Sequence, residues 1–518
     1  MAKWLKNAVF YEIYPQSFQD SNADGIGDIQ GIIGRLDYIQ DLGCNAIWMN
    51  PCFDSPFSDA GYDVRDYYTV APRYGTNEDM KCLFAEVHKR GMHILLDLVP
   101  GHTSIDHPWF QESMKAEENP YSKRYIWTDM VWEGFDGINN ITGALRGISD
   151  RDGSCAVNFY TTQPALNYGF AKVTRPWQSE VDSEEAAATR LAMQDIMDFW
   201  LGLGCDGFRV DMAGSLVKQD EDGSATVALW QKITGFLREK YPEAALVSEW
   251  GEPDKSLNGG FDMDFVLHFG PSHYLDLFRL EHPYFSKEGK GDAAAFVKRY
   301  MECRDAAGGK GLICIPSGNH DMPRISLCLE EEERKLAFAF LLSMPGAPFI
   351  YYGDEIGMKY LQGIRSVEGG YDRTGTRTPM QWDDSVNAGF SSAAPDKLYI
   401  MQDPDTKRPT VQSEAARGDS LYHEIKKLIA LRQSLEVLQS EAPVTFLYAQ
   451  DHAYPLVYRR GETGNGVLVV LNPSGEDTVC RLSENVTGGE VLYSCGGTAE
   501  VTEGLVKAPK ASATFLRC

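Results

Sequence analysis

HILLDLV at residues 93–99 is the stretch that decides the fold class, because it is a short, mostly apolar run followed by polar residues. Similar runs recur at 8–14, 46–49, 207–211, 245–249, 265–269, 312–316 and 347–353. Helical patterns lie between them, for example at 187–202, 226–240 and 330–343. Short strands that alternate with helices predict right-handed βαβ units and a parallel sheet. Eight such strands predict an α/β fold, a (β/α)8 TIM barrel, with its active site at the C-terminal ends of the strands.

The uneven spacing of these runs predicts two additions to the barrel. About a hundred residues, rich in Gly, Asp, Asn and aromatics, separate the third run from the fourth. We therefore predict an inserted small domain at 101–170, within a catalytic barrel made of 1–100 and 171–434. The irregular stretch at about 357–420 is expected to fold over the same barrel face. Short β runs after the helical pattern at 423–434 predict a C-terminal antiparallel β domain, a β-sandwich, at 435–518.

Composition limits the classes of partner. The chain has 518 residues with 49 basic and 74 acidic side chains, a net charge of −25, so we expect neither nucleic acid nor an anionic membrane as a partner. No run approaches the ~18 consecutive apolar residues of a membrane-spanning helix. The 11 cysteines include no CxxC pair, which argues against a zinc site and a disulfide framework. Reduced thiols, with an N-terminal stretch that lacks the apolar core of a signal peptide, favour a cytoplasmic protein.

Four predicted strands end in charged or polar side chains that would meet on one face of the barrel. Glycoside hydrolysis needs an ionised carboxylate as nucleophile and a second carboxyl group that is kept protonated as the acid. A single Asp at a strand end is more often a helix cap or a loop ligand, but four such strand ends together indicate chemistry. The residues are Asp97 and His102 after the third strand, Arg209 and Asp211 at the fourth, Glu249 at the fifth, and Asn319, His320 and Asp321 after the seventh.

Arg209 lies two residues before Asp211 on the same predicted strand. Side chains two residues apart on a strand point to the same face, so the guanidinium can reach the carboxylate. Its positive charge favours the ionised form of Asp211, which is the form that a nucleophile requires.

Ten segments between Val9 and Ser391 form an ordered series. They are VFYEIYPQSF, DSNADGIGDIQGI, GYDVRDY, DLVPGHTS, QPALNY, GFRVDMAGS, SEWGEP, SGNHDMPR, YYGDEIG and RTPMQWDDSVNAGFS. The series resembles glycoside hydrolase family 13, the α-amylase family, and within it the oligo-1,6-glucosidase and α-glucosidase branch. The predicted C-terminal β domain also fits the family.

The resemblance implies a retaining mechanism. It makes Asp211 the nucleophile, Glu249 the acid/base, and Asp321 the residue that grips and distorts the sugar in the −1 subsite. Glu252, in the same SEWGEP segment, is the alternative acid, and Glu249 is preferred because it directly follows the predicted strand. The remaining residues of that subsite would be His102, Arg209 and His320, with Tyr62 stacked on the sugar ring.

The resemblance also bears on exo-action. In the α-glucosidase branch, an Asp three residues before the stacking Tyr pairs with an Arg of the RTPMQWD segment and holds the 4-hydroxyl of the terminal glucose. The matching positions here are Asp59 and Arg377. Such a pair would close the −1 subsite and favour release of single glucose units over cleavage inside starch. The alternative is a structural surface pair.

Three positions depart from the family pattern. Gly101 and Ala165 stand where the family usually has Asn and Asp, two residues that in α-amylases help to bind calcium between the barrel and the inserted domain. We therefore predict that this calcium site is absent. Met212, directly after the predicted nucleophile, is bulky, which favours α-1,6 or mixed linkage preference over α-1,4.

DSNADGIGD at 20–28 has oxygen-bearing side chains at alternate positions, as the calcium loop of an EF-hand has. An EF-hand needs Glu at the twelfth position, where this chain has Gly31, so that interpretation fails. The resemblance implies instead one structural Ca²⁺ in the first barrel loop, and the alternative is an Asx-rich turn without metal. The ligands would be Asp20, Asn22, Asp24, the Ile26 carbonyl and Asp28.

These observations predict a retaining exo-α-glucosidase that acts on a small oligosaccharide or disaccharide substrate, of the malto- or isomalto- type. A trehalose synthase or isomaltulose synthase of the same family would share the barrel and the three carboxylates. It would differ in whether water reaches the glucosyl-enzyme. A non-catalytic relative is disfavoured because all three carboxylates are present. Oligomeric state is left open.

Overall fold

The computed structural model of the protein describes residues 1–289 and 292–518. Eight parallel strands form a nearly closed barrel, in which each strand pairs with the next along the chain from β1 to β7 and β8 pairs with β1. An isolated parallel bridge between Pro316 and Phe349 joins the chain just past β7 to β8. The strands are β1 (Phe10–Ile13), β2 (Ala46–Met49), β3 (His93–Leu98), β4 (Gly207–Val210), β5 (Ala245–Ser248), β6 (Met263–Phe265), β7 (Leu312–Cys314) and β8 (Phe349–Tyr351).

This architecture confirms the predicted fold class, and seven of the eight predicted runs contain their strand. The sixth is displaced: it was expected at 265–269, and the strand is Met263–Phe265. The apolar run at 265–269 misplaced this strand because the strand itself contains a buried carboxylate. Asp264 is fully buried and accepts hydrogen bonds from the Ser248 hydroxyl at 2.8 Å and the Trp250 amide at 3.2 Å.

Helices cover the outside of the barrel, and local sequence fixes their ends. Glu184–Leu203 begins after Ser183, whose hydroxyl accepts the Ala186 N–H, and ends at Gly204, where φ is +122°. The longer helices are Ile29–Leu42, Asn77–Lys89, Glu184–Leu203, Ser224–Lys240, Ala293–Ala307, Glu331–Ser343 and Leu421–Ser434. The shorter ones are Pro15–Phe18, Pro108–Ser113, Pro253–Asn258, Tyr274–Phe278 and Val411–Ala416. In the described part of the chain, no helix is both long enough and apolar enough to cross a membrane.

The long segment between β3 and β4 contains a two-stranded antiparallel sheet, Gly143–Arg146 with Ser154–Val157. It has a small apolar cluster of its own, in which Phe135, Ile138 and Phe170 take part. A bridge between His102 and Ala165 holds the segment against the end of β3. The segment therefore lies over the barrel face that carries the predicted site.

The C-terminal part of the chain forms two antiparallel sheets around a second apolar cluster. One sheet contains, in spatial order, Val444–Tyr448, Leu456–Glu462, Asn465–Asn472, Ser512–Arg517 and Val491–Cys495. The other contains Thr478–Arg481, Leu505–Ala508 and Glu500–Thr502. The predicted C-terminal β domain is therefore confirmed, whereas the proposed limits of the individual domains stay predictions.

Candidate active site

A cavity of about 580 Å³ opens at the C-terminal ends of the barrel strands. Six of the nine predicted catalytic and sugar-binding side chains line it: Asp59, Tyr62, His102, Asp211, Glu249 and Asp321. Arg209, His320 and Arg377 are buried behind the cavity wall, where they contact residues that line it. Aromatic and other side chains complete the lining: Phe159, Tyr160, Met212, Trp250, Glu252, His268, Phe269 and Arg373, with Gly214 and Ser215.

Arg209 on β4 joins three carboxylates. Its Nη1 atom lies 2.9 Å from Asp97 Oδ1 and 3.0 Å from Asp211 Oδ1, and its Nη2 atom lies 2.9 Å from Glu249 Oε2. Asp97 is on β3, Asp211 follows β4 and Glu249 follows β5. Because β3, β4 and β5 are neighbouring parallel strands, their C-terminal ends bring these groups to one guanidinium.

Asp211 and Glu249, the two carboxyl groups at the cavity floor, interact strongly with each other. Burial raises the pKa of Asp211 well above its ordinary value, the negative charge of Glu249 raises it further, and Arg209 opposes both effects. Burial also raises the pKa of Asp97 to about 6, against the pull of Arg209. Buried carboxylates this close cannot all be ionised at no cost, so burial and mutual repulsion favour a proton within the cluster and Arg209 opposes them.

Glu252, the alternative acid, also lines the cavity but has different partners. Its carboxylate accepts a hydrogen bond from the Trp250 indole at 3.1 Å and pairs with Lys255 at 2.9 Å. Glu249 shares Arg209 with Asp211 and accepts the Met212 backbone N–H at 3.1 Å. The geometry therefore pairs Glu249, and not Glu252, with Asp211.

Asp321 is held by two arginines. Arg377 Nη2 lies 2.7 Å and Arg373 Nη1 2.8 Å from its Oδ1 atom, and His320 Nε2 lies 3.4 Å from Oδ2. Burial acts to raise the pKa of Asp321, but the nearby charges of His320, Arg377 and Arg373 outweigh burial and hold the pKa well below its usual range. Asp321 therefore stays ionised.

Tyr62 covers His320, and the two rings are stacked with centroids 5.3 Å apart. The Tyr62 hydroxyl lies 2.7 Å from His320 Nε2 and donates to Asp97 Oδ2 at 3.0 Å. The hydroxyl thus links the predicted stacking residue to the carboxylate cluster, and one face of the tyrosine is taken by the imidazole.

His102 is fixed from both of its nitrogens. The Asn158 amide donates to Nδ1 at 3.0 Å, and Nε2 lies 3.1 Å from the Tyr62 carbonyl oxygen. Burial lowers the pKa of His102 to about 3, so the ring is neutral, with its proton on Nε2. Lys218 in turn donates to the Asn158 side-chain oxygen at 3.0 Å.

The prediction that Asp59 pairs with Arg377 is wrong, because a different arginine lies beside Asp59. In the described part of the chain, the guanidinium that reaches Asp59 is that of Arg373, with Nη2 3.5 Å from Oδ1, and Gln163 donates to Oδ2 at 2.8 Å. Arg377 is occupied elsewhere, since its Nε donates to the His320 carbonyl at 2.8 Å while its Nη2 holds Asp321. Burial raises the pKa of Asp59 to about 6, and Arg373 opposes that rise.

Sequence reasoning missed several residues at this site. Arg373 lies four residues before Arg377 in the same segment, and that proximity was the available signal. Asn158 and Gln163 lie in the segment between β3 and β4, whose path over the barrel could not be read from local patterns. Glu12 on β1 was hidden inside an apolar run.

The first barrel loop has the hydrogen-bond pattern of a chain of Asx turns. Asp20 Oδ1 accepts the Asn22 N–H at 2.9 Å, Asn22 Oδ1 accepts the Asp24 N–H at 2.9 Å, and Asp24 Oδ1 accepts the Ile26 N–H at 2.9 Å. Asp28 caps the helix Ile29–Leu42 by accepting the Gly31 N–H at 2.7 Å. Among the described residues, no group of three or more His, Cys, Asp or Glu side chains is arranged to hold a metal ion.

Comparison with known proteins identifies the family. The family model of the alpha-amylase catalytic domain matches residues 12–441 of the chain. The chain belongs to the α-amylase family, glycoside hydrolase family 13. This confirms the family that the ten segments resemble, and the enzyme is a glycoside hydrolase.

Relatives within glycoside hydrolase family 13 cover nearly the whole chain. The oligo-1,6-glucosidase of Parageobacillus thermoglucosidasius is 32% identical over 93% of this chain and 92% of its own. The trehalose synthase/amylase TreS of Mycobacterium tuberculosis is 31% identical over 91% of this chain and 82% of its own. Among solved structures, the trehalulose synthase MutB of Pseudomonas mesoacidophila MX-45 superimposes with a TM-score of 0.81 at 26% identity, covering 100% of both chains.

Proposed function

We propose that this glycoside hydrolase is a retaining exo-α-glucosidase, which releases glucose from the non-reducing end of short α-glucosides. The observation that carries the proposal is the placement of Asp211 and Glu249 on one guanidinium, Arg209, at the floor of a cavity of about 580 Å³. A cavity of this size holds a small saccharide. In a retaining enzyme one carboxylate attacks the sugar directly, whereas an inverting enzyme holds its two carboxyl groups farther apart to leave room for a water molecule. Asp211 and Glu249 contact the same guanidinium, which suits the retaining mechanism.

In this proposal Asp211 attacks the anomeric carbon while Glu249 donates its proton to the glycosidic oxygen. The C1–O bond to the leaving group breaks, and an ester between glucose and Asp211 forms. Glu249, now ionised, then takes a proton from water, which hydrolyses the ester and restores both carboxyl groups. Arg209 contacts both residues and so balances charge as the proton leaves Glu249 and returns.

A wall of the cavity that Arg373 organises supports exo-action. Its guanidinium reaches Asp321 and Asp59, and its Nη2 atom also donates to the Tyr160 hydroxyl at 2.9 Å. Asp59, Tyr160 and Asp321 all line the cavity, so one cation ties together three of its lining residues. A glucose bound beside Asp211 would meet this wall at its non-reducing end, which leaves no path for a longer chain.

An α-1,6 or mixed linkage preference is the specificity that we propose. Met212, whose bulk favours this preference, lines the cavity next to Asp211. Its φ is +43°, a conformation that non-glycine residues rarely adopt. The named activities of the relatives from Parageobacillus thermoglucosidasius and from Streptococcus pneumoniae, an oligo-1,6-glucosidase and a glucan 1,6-alpha-glucosidase, support this preference.

A second candidate is sugar rearrangement by the same three carboxylates. The trehalose synthase/amylase and trehalulose synthase relatives favour it, as does the apolar part of the cavity lining: Phe159, Trp250 and Phe269. Apolar side chains around the ester would exclude water and let a second sugar hydroxyl react instead. The two candidates share every step up to the ester.

Product analysis separates these candidates. On a panel of isomaltose, maltose, trehalose, sucrose, kojibiose, nigerose and starch, we expect glucose as the first product from isomaltose and no shortening of starch from within. The glucose should be released as the α-anomer, as polarimetry or NMR at early times would show. A rearranged disaccharide as the main product from maltose or sucrose would replace the hydrolase proposal by the second candidate.

We also propose that the first barrel loop holds one structural Ca²⁺, through Asp20, Asn22, Asp24, Asp28 and the Ile26 carbonyl. The donor set suits a hard cation because it consists only of oxygens. When bound, the ion would supply positive charge that ties the loop together. Asp211, Glu249 and Asp321 lie outside this loop, so the ion would have no part in the chemistry.

Removal of calcium should lower the melting temperature without abolishing activity at 25 °C. A ligand that binds only the folded state at 100 times its Kd stabilises that state by about 2.7 kcal/mol, so we expect EDTA to lower Tm by a few degrees. Re-addition of Ca²⁺ should restore it. Asp24→Asn is the matched variant, because Asp24 is exposed and its loss should remove the calcium response. An equal response to EDTA in this variant, or none in the wild type, would contradict the site.

The absence of a second calcium site, between Gly101 and Ala165, remains our proposal. A Cβ at Gly101 would lie 2.7 Å from the Asn158 amide nitrogen, so Asn158 occupies the space that a larger side chain would need. Lys218 is fully buried beside it and donates to the Asn158 oxygen and to the Ser215 carbonyl at 2.7 Å. A metal ion here would compete with an amine for the same oxygens, which supports the proposal.

A further inference from the structure

Glu12, on β1, lies beneath the cavity and has no part in the chemistry proposed above. Its side chain is fully buried, and its Oε1 atom lies 2.9 Å from Nδ1 of His320, which is also fully buried. In the barrel register Glu12 is opposite Trp48 on β2 and Tyr351 on β8. A buried carboxylate in contact with a buried imidazole is an arrangement that fixes ring orientation and proton position.

The surroundings of His320 indicate which nitrogen carries the proton. The Asn50 amide satisfies both of its ends when its oxygen faces Nδ1 at 3.0 Å and its nitrogen faces Glu12 Oε1 at 3.2 Å. Nδ1 then meets two acceptor oxygens, so it must be a donor. On the other side, Nε2 faces the Tyr62 hydroxyl at 2.7 Å and Asp321 Oδ2 at 3.4 Å.

We propose that Glu12 is a positioning residue: its side chain holds His320 with a proton on Nδ1 and thereby keeps Nε2 against Tyr62 and Asp321. This inference rests on the proposed function, since it concerns how the sugar-binding end of that site is held. Glu12 itself touches neither the cavity nor the reacting carboxyl groups, so it acts only through the imidazole.

The charges around the pair explain why a carboxylate is needed there. The groups that face Glu12 and His320 are Arg209 from β4, Asp97 from β3, Asp321 from the loop after β7, and Arg373 and Arg377 from the segment after β8. The phenols of Tyr62 and Tyr351 also adjoin them. Burial raises the pKa of Glu12 and lowers that of His320, and the surrounding charges act on both groups. Both side chains are fully buried, so the contact between Oε1 and Nδ1 is what fixes this side of the ring.

The decisive variant is Glu12→Gln, which keeps the shape and an acceptor oxygen but removes the charge. We expect kcat to fall by up to about 100-fold with KM changed far less, because the ring that supports the sugar-binding residues is no longer fixed. Activity is measured on whichever glucoside the wild type converts, so a change in the assigned reaction does not affect the comparison.

Glu355→Gln is the matched control. Glu355 is also fully buried, and its carboxylate accepts hydrogen bonds from the hydroxyls of Tyr11 at 2.8 Å and Tyr38 at 2.6 Å, away from His320. This variant should lose melting temperature but keep the wild-type kcat and pH profile. A Glu12→Gln enzyme that behaves in the same way as Glu355→Gln would overturn the inference, since its role would then be structural only.

A measurement on the wild type keeps the test independent of variant folding. With ¹⁵N-labelled histidine, Nδ1 of His320 should give the signal of a protonated nitrogen throughout the pH range of activity. The signal is assigned by its loss in His320→Asn. An unprotonated Nδ1 would show that Glu12 does not hold the ring as proposed. Failure of the proposed function would appear separately, as a different product from the wild-type enzyme.

Discussion

Asp211→Asn should abolish turnover, with kcat lowered by roughly 10⁴-fold or more. The amide cannot form the glucosyl ester, although it is nearly the same size and can still accept the hydrogen bond that Arg209 Nη1 makes at 3.0 Å. The fold should persist, and Tm should stay level or rise. Asp97, Asp211 and Glu249 compete for one guanidinium, and the substitution removes one of their three charges.

Asp220→Asn is the matched control for this experiment. Asp220 is also buried, but its carboxylate accepts the N–H and hydroxyl of Thr226, both at 2.8 Å, and does not line the cavity. This variant should turn over at the wild-type rate and melt at a lower temperature, the reverse of what we expect for Asp211→Asn.

Trapping identifies the nucleophile independently of rate. A fluorinated glucosyl fluoride, which forms the ester faster than water removes it, should label the peptide that contains Asp211 in the wild type and leave Asp211→Asn unlabelled. Turnover by Asp211→Asn within tenfold of the wild type would falsify the assignment. A label on Glu249 would exchange the two proposed roles.

The sequence predicts those site residues that directly follow a predicted strand. Asp211 and Glu249 directly follow short apolar runs, and the ends of neighbouring parallel strands must meet, so their approach to Arg209 follows from the fold class alone. Asp321 is seven residues beyond β7 but within a segment that resembles the family. The same reasoning explains why the sequence predicts the fold class correctly.

The residues that were missed depend on contacts between distant segments. Asp59 and Arg373 are 314 positions apart, and whether Arg373 or Arg377 reaches Asp59 is decided by the turn Tyr371–Thr376, which carries no periodic signal. Asp264 and Glu12 were overlooked for a different reason. Each is a carboxylate inside an apolar strand, where a charge is expected only if a partner is present, and the partner comes from another part of the chain.

Arg209→Met should cause the largest loss of stability among single substitutions at this site, and it should also abolish activity. The guanidinium is 1% exposed and pairs with three carboxylates that are themselves largely buried. Removing one partner of a buried ion pair typically costs about 3–5 kcal/mol, because the other charge is left unpaired. Here three charges are left, so the loss should lie at or above the upper end of that range at alkaline pH.

The pH dependence of this loss has a defined sign. Arg209 lowers the pKa of Asp97, which burial otherwise raises, to a balance of about 6. Without Arg209 the folded-state pKa rises further above the unfolded value of about 3.9. A group with a raised pKa stabilises the fold below its unfolded pKa and loses that contribution as pH rises through the folded value. The difference in Tm between wild type and variant should therefore be small at pH 5 and large at pH 8.

Arg324→Met separates this prediction from a general effect of removing a buried arginine. Arg324 and Asp354 form a single fully buried pair at 3.0 Å, outside the cavity lining. Its loss should lower Tm but leave kcat near the wild-type value, and the pH dependence should be weaker because one carboxylate is released instead of three.

If both variants lost the same Tm at both pH values, Arg209 would be a packing residue and not the charge that holds the three carboxylates together. The proposed chemistry requires the opposite result, since it depends on a cation that contacts both Asp211 and Glu249 as the proton leaves Glu249 and returns.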